Sequence, residues 1–285
     1  MIPRVHTISV EIPPGEELCI TPLSDVHIES SAFDLEAFTT TMKARAKLPN
    51  HRVIMLGDVM DLVVPRDLKR WRPSAQDSSL AGCDDWVNQS IELAVERIEA
   101  TGVNVDVVAP GNHEDEFTKR HGVDVTSILA HRLGAVRGGY SGVVRYRLTT
   151  AGVHHTQLLT LAYHHGAWGG RLVKGFGGAR DWFRAWDGWH FALYGHNHQT
   201  VVNSESKFRV SRTGELVEYP VYYVCCGTWV ESYSPDAKTT HYAERAGHMP
   251  TIRKTPLLRA RMVNHGGKAR KSGPRGWELQ YAVEL

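Results

Sequence analysis

The sequence lacks the features that mark special habitats. None of its apolar stretches approaches membrane-spanning length across 285 residues. Its opening MIPRVHTISVEIPPGEE has no hydrophobic signal region, so a cytoplasmic protein with no membrane partner is expected. Only four cysteines occur, Cys19, Cys83, Cys225 and Cys226, without metal-finger spacing. They read as small buried hydrophobes in a reducing compartment. No internal repeat is visible, and the net charge is only +2. One stretch departs from that balance. Residues 251–276 hold eight Lys/Arg and no Asp/Glu, leaving 25 basic against 31 acidic residues elsewhere. A mildly acidic body with a basic segment suits polyanion contact, or simply a solvated surface.

What is present is a rhythm of short apolar runs ending in glycine or polar residues. LCITPLSDVHI (18–28), RVIMLGDVMD (52–61), VDVVAPGNHE (105–114) and WHFALYGHNH (189–198) read as strands running into turns. Residues 32–47 and 84–100 have helical period, while 143–150 and 154–166 suggest antiparallel neighbours. Strands close the chain at 217–231 and 277–285. Strands alternating with helices first, then strands in succession, imply an α/β fold with mixed sheets. The length suits one domain spanning 1–285. Three segments interrupt it: an inserted polar loop at 64–83, a Trp/Gly-rich segment at 166–189, and the basic segment 251–276 before the final strand.

Sixteen histidines are present, and many sit where apolar runs stop. Five segments place metal-type ligands there: Asp25-x-His27, Gly57-Asp58-x-x-Asp61, Gly111-Asn112-His113-Glu114, His164-His165-Gly166 and Gly195-His196-x-His198. Singly, each has an ordinary reading; Asn after Gly is most often a turn residue. Five in order are a different matter, because open α/β sheets bind ligands at the carboxyl ends of their strands.

In this order the segments resemble the calcineurin-like metallophosphoesterase superfamily, over about residues 18–230. The resemblance implies two mixed β-sheets packed as a sandwich flanked by α-helices, a four-layer αββα arrangement, with a two-metal centre at one sheet edge. It implies one ion held by Asp25, His27 and His198, another by Asn112, His164 and His196, and Asp58 bridging both. His113 would sit beside the centre as the catalytic acid. Either histidine of the doublet could be the ligand, since strand alternation lets only one reach inward. The family pattern His-x-Gly favours His164, leaving His165 to a supporting place. Asp61 is expected to orient a ligand.

Imidazole and carboxylate without thiolate suit two divalent ions, Mn²⁺ first, with Fe, Zn²⁺, Ni²⁺ or Mg²⁺ as alternatives. Such a pair about 3.5–4 Å apart can activate a hydroxide for attack on phosphorus. The implied activity is hydrolysis of phosphate esters, foremost as a phosphodiesterase on nucleic acid or nucleotides. The alternative is a phosphatase or phosphodiesterase for another small phosphate ester. Asp61 is followed by Leu62-Val63 rather than by the arginine of the protein phosphatases, which argues against that branch. A non-catalytic scaffold would be missing ligands or His113, and none is missing. Trp168 and Arg171, in a Gly-rich loop, are the substrate-contact candidates. Trp182, Trp186 and Trp189 have helical spacing and read as a core face.

Overall fold

Alternating apolar residues build two sheets, and the rows they turn toward each other make the main core. The computed structural model describes residues 4–64, 76–150, 153–168, 175–210, 214–233, 241, 244, 249–265 and 277–285. Its strands are β1 (Arg4–Glu11), β2 (Glu17–Leu23), β3 (His51–Met55), β4 (Val105–Val108), β5 (Val136–Arg137), β6 (Ser141–Thr150), β7 (Val153–His164), β8 (Phe191–Tyr194), β9 (Thr200–Val210), β10 (Leu216–Cys226), β11 (Leu257–Asn264) and β12 (Trp277–Glu284). Its helices are α1 (Leu35–Ala46), α2 (Trp86–Glu99), α3 (Asn112–His121), α4 (Val125–Arg132) and α5 (Phe176–Arg184).

One sheet has the order β1-β6-β7-β8-β10-β9 and the other β12-β11-β2-β3-β4-β5. Both mix parallel and antiparallel pairs: β2, β3, β4 and β5 run parallel, while β11 is antiparallel to β2. In the first sheet β7, β8 and β10 run parallel, and β6 pairs antiparallel with β7 as expected. Leu18, Ile20, Ile54 and Val107 from one sheet meet Leu159, Leu161, Tyr163, Leu193 and Val224 from the other. Residues of opposite parity face outward. Val53, Met55 and Val105 pack under α1, α2 and α4, whereas Ala162, Ala192 and Tyr223 pack under α5. The layers are therefore helix, sheet, sheet, helix. This is the α/β sandwich expected.

Among the described residues no helix is long and apolar enough to cross a membrane. Within the basic segment, β11 lies between β2 and β12. Arg253 pairs with Asp34 and Glu231, and Arg259 with Glu17 and Glu284, so these charges are engaged at home. Of the inserted loop, 76–83 includes a short 3-10 turn at Ser78–Leu80. Residues 65–75, 169–174 and 266–276, and with them Arg171, lie outside the described residues.

Parallel strands share a carboxyl edge. The chain leaving β2, β3, β4, β7 and β8 therefore reaches one edge of the sandwich, and each exit carries one of the five segments.

Candidate metal centre

The exits turn so sharply that, among the described residues, five of the seven non-glycine positions with positive φ are Asp25, His27, Asp58, His196 and His198. Left-handed backbone is costly for such residues and persists where the surroundings enforce it. Glycine makes the close approach possible. A Cβ on Gly111 would collide with the Asp58 carboxylate, one on Gly57 with the Gly111 backbone, and one on Gly195 with Ser24 and Asp25. Backbone ties align the exits: Asp25 N–H donates to Gly57 O, and His27 N–H to Asp58 O, each at 3.1 Å.

Three groups of donor atoms converge: Asp25 with His27 and His198; Asp58 with His165 and His196; and His27 with Asp58 and His113. Within each, the atoms lie within 4.8 Å of one another. Asp25 Oδ1 faces His198 Nε2 at 3.4 Å, while its Oδ2 accepts the His196 N–H at 2.8 Å. Asn112 Oδ1 lies 2.8 Å from His196 Nδ1 and 3.0 Å from His165 Nε2. Asp58 belongs to two of these groups, one with His165 and His196 and one with His27 and His113. Asp25 and Asp58 are sealed from water, but His196 is exposed and His198 partly so. The centre is closed beneath and open on its histidine rim.

The geometry reverses the choice within the doublet. His165, not His164, reaches the centre: its Nε2 is 3.2 Å from Asp58 Oδ2, and the residue is fully buried. His164 is the last residue of β7, and its parity sends it outward with Ala162. There it accepts the Gly166 N–H through Nδ1 and packs against Trp168 and Trp182 at 4.8 and 4.7 Å. His165 lies one residue past the strand, so its side chain turns under the edge. The electrostatics follow. Burial, with His165 beside it, pushes His164 down to about 4. Burial would lower His165 too, but Asp58 outweighs it and pushes the ring up to about 9.

The donor set fits a divalent cation. His165 Nδ1 donates to Leu56 O at 2.9 Å, which aims Nε2 at the oxygens of Asn112 and Asp58. That spot calls for positive charge, which a proton on Nε2 or a metal ion supplies. Among the described residues buried His27 Nε2 has no hydrogen-bond partner and buried Asp25 Oδ1 meets just His198 Nε2, at 3.4 Å, a costly arrangement unless something else meets them. Burial alone would raise the Asp58 carboxyl, yet His165 and His113 hold it well below the usual carboxylate range.

His113 stands beside this set. Its Nε2 is 3.9 Å from Asp58 Oδ2, and its ring meets the His27 ring edge-on at 4.7 Å. Asp61 engages both rings through Nδ1, at 3.1 Å for His27 and 3.2 Å for His113. Burial opposes a charge on His113, but Asp58 and Asp61 prevail and push it up to about 10. Its backbone N–H donates to Asp58 Oδ1 at 2.9 Å, because α3 begins at Asn112 and aims its first N–H groups at the centre.

Trp168 is drawn into the cluster outside the first sheet, near Trp182, Phe183 and Tyr194, rather than to the Asp58 group. Trp182, Trp186 and the buried Trp189 join that cluster, in keeping with a core face. Sequence reasoning gave no role to Glu114, which is buried and accepts the N–H groups of Asp58, Met60 and Gly111. A Glu at the third helical position does signal a reach back to the cap, so Gly-Asn-His-Glu held that information. It also missed Glu29, buried and accepting the Leu62 N–H at 2.7 Å, and Tyr140, edge-on to both His164 and His165. Neither has a signal in the sequence.

No family model matches the sequence, and no curated protein does. Among solved structures, the chain is matched to Vps29 of Chaetomium thermophilum at 10% identity and a TM-score of 0.35, covering 93% of this chain and 96% of that one. A likeness that loose carries no argument about family or activity.

Proposed function

We propose that this protein is a metal-dependent phosphoesterase of the metallophosphoesterase kind, acting foremost as a phosphodiesterase on nucleotides or nucleic acid. The observation that carries the reading is the convergence of Asp25, His27, Asp58, Asn112, His165, His196 and His198 from five strand exits onto one edge. Asp25, His27 and His198 would hold one ion, Asn112, His165 and His196 the other, with Asp58 between them. When bound, two divalent ions supply a strongly acidified water and neutralise charge on the phosphoryl oxygens.

The chain's own residues do the rest. Asn112 contributes a neutral amide oxygen where a third carboxylate would cancel the site's attraction for an anion. The amino end of α3 adds partial positive charge on the same side. His113, steadied at Nδ1 by the Asp61 carbonyl at 2.6 Å, holds its proton at Nε2 for the leaving oxygen. The exposed rim at His196 and His198 admits the ester.

A second reading, a smaller phosphate ester, is favoured by one observation. Among the described residues, three of the features expected to grip a polynucleotide are engaged elsewhere: Arg253 and Arg259 in ion pairs, Trp168 in its aromatic cluster. One panel tests both readings. The protein with Mn²⁺ is offered aryl phosphate mono- and diesters, cyclic nucleotides, and single- and double-stranded DNA and RNA, with His113→Asn as control. The expected result is metal-dependent diester cleavage that His113→Asn cuts about 10²- to 10⁴-fold while both ions stay bound. No cleavage of any ester would overturn the activity. Undiminished turnover in the variant would remove His113 from the chemistry.

A further inference from the structure

The chain after β3 carries both Asp58 and Asp61, and its described stretch, residues 56–64, has no helix or strand ladder of its own. Three of its alternate N–H groups end on buried glutamates. Asp58 N–H and Met60 N–H donate to the two oxygens of Glu114, each at 3.0 Å. Leu62 N–H donates to Glu29. Glu114 Oε2 also accepts the Gly111 N–H at 2.8 Å, so one oxygen holds the turn before Asp58 and the turn before Asn112 together. The two turns touch there, since a Cβ on either Gly57 or Gly111 would strike the opposite exit.

We propose that Glu114 is the positioning residue that sets the spacing between the two halves of the centre. It fixes Asp58, shared by both halves, against Asn112, which belongs to one. The inference rests on the two-ion reading above. Its reach is greatest at one part of the site: Asp25, His27 and His198 stand on other exits, and Asp25 and His27 meet the Asp58 turn through its backbone carbonyls at Gly57 and Asp58. Losing Glu114 should therefore leave one ion tightly held and disturb the other. Glutamine keeps one acceptor oxygen and turns an amide N–H₂ toward the remaining backbone donors, so Glu114→Gln should be intermediate and Glu114→Ala most severe.

The test is Mn²⁺ titration by calorimetry, with electron paramagnetic resonance to detect exchange coupling between paired ions and thermal melting to report the fold. Wild type should bind two ions and show the coupled signal. In Glu114→Gln the affinity for one ion should fall roughly 10- to 100-fold, as for other residues that orient metal ligands, and the coupled signal should weaken or vanish. Glu29→Gln, acting on Leu62 alone, should keep the coupling. A merely structural role would lower the melting temperature of the Glu114 variants yet leave two coupled ions at unchanged affinity, and that overturns the proposal. Equal loss of both ions overturns it as well. If Glu114→Ala does not fold, Glu114→Gln decides the matter alone. Wild type that binds fewer than two ions would instead refute the two-ion reading, a result distinguishable from both.

Discussion

His164 and His165 are neighbours in the chain, yet they occupy two different regions of the molecule. One faces the outer aromatic layer, which is held by burial, and the other the centre, which is held by directed polar contacts. The first is pushed down to about 4 and the second up to about 9, because desolvation at one is reinforced by neighbouring histidines and at the other is outweighed by carboxylates. Hydrophobic packing is non-directional and tolerates shape changes of about a methylene. The centre depends on atoms brought together by left-handed turns and close glycine contacts.

The largest expected break of this comparison is His165→Ala against His164→Ala. Removing His165 takes a donor from the Asp58 and His196 group, so bound metal should fall from two ions to one and turnover should collapse. His164→Ala should keep both ions and lose only stability. Elemental analysis of the two purified variants decides; equal metal content would erase the distinction.

A change inside the sandwich sharpens the contrast from the other side. Leu161 lies on the inner face of β7, fully buried. Leu161→Ala should cost about 2–5 kcal/mol in chemical denaturation while leaving metal stoichiometry alone. Loss of an ion in this variant would show that the core and the centre are not separable.

The smallest effect concerns acid. His51 is buried against Thr21, 2.8 Å from its hydroxyl, and burial, helped by Arg45, pushes it down to about 4. Unfolded, it titrates near 6.5. The native state therefore favours the neutral ring, and this contribution is fully present above about pH 6.5 and lost as pH falls toward about 4. The full difference is on the order of 3 kcal/mol. Urea midpoints measured from pH 7 to 4 should drop less steeply in His51→Gln than in wild type. Parallel curves would assign the acid loss to other groups.

Much of the fold was legible because its strands obey a two-residue period and its first two helices a 3.6-residue one. β9 and β11 were harder to see. Thr200–Val210 is a half-exposed edge strand, and the basic residues of Leu257–Asn264 hide a strand whose arginines are paired. The polar α3 was also obscure: only Glu114 and Phe117 are buried, and pairs such as Asp115 with Lys119 cover its surface. In the candidate site, residue types and their order picked out the five segments that the fold brings to one edge. The doublet was not legible there, because the His-x-Gly spacing points to His164 while only the place where β7 ends turns His165 inward.

By itself, then, the sequence determined the local rules: where the chain extends, where glycine lets it turn, and which exits carry carboxylate, amide or imidazole. Those follow from nearest-neighbour sterics and from hydrophobic period. Only the tertiary structure decided which side chain of a pair turns inward, that Trp168 belongs to a packed layer, and that Glu114 ties two distant turns. Such outcomes depend on contacts between segments some fifty residues apart, such as Asp58 with Glu114 at a separation of 56, and no local period encodes them.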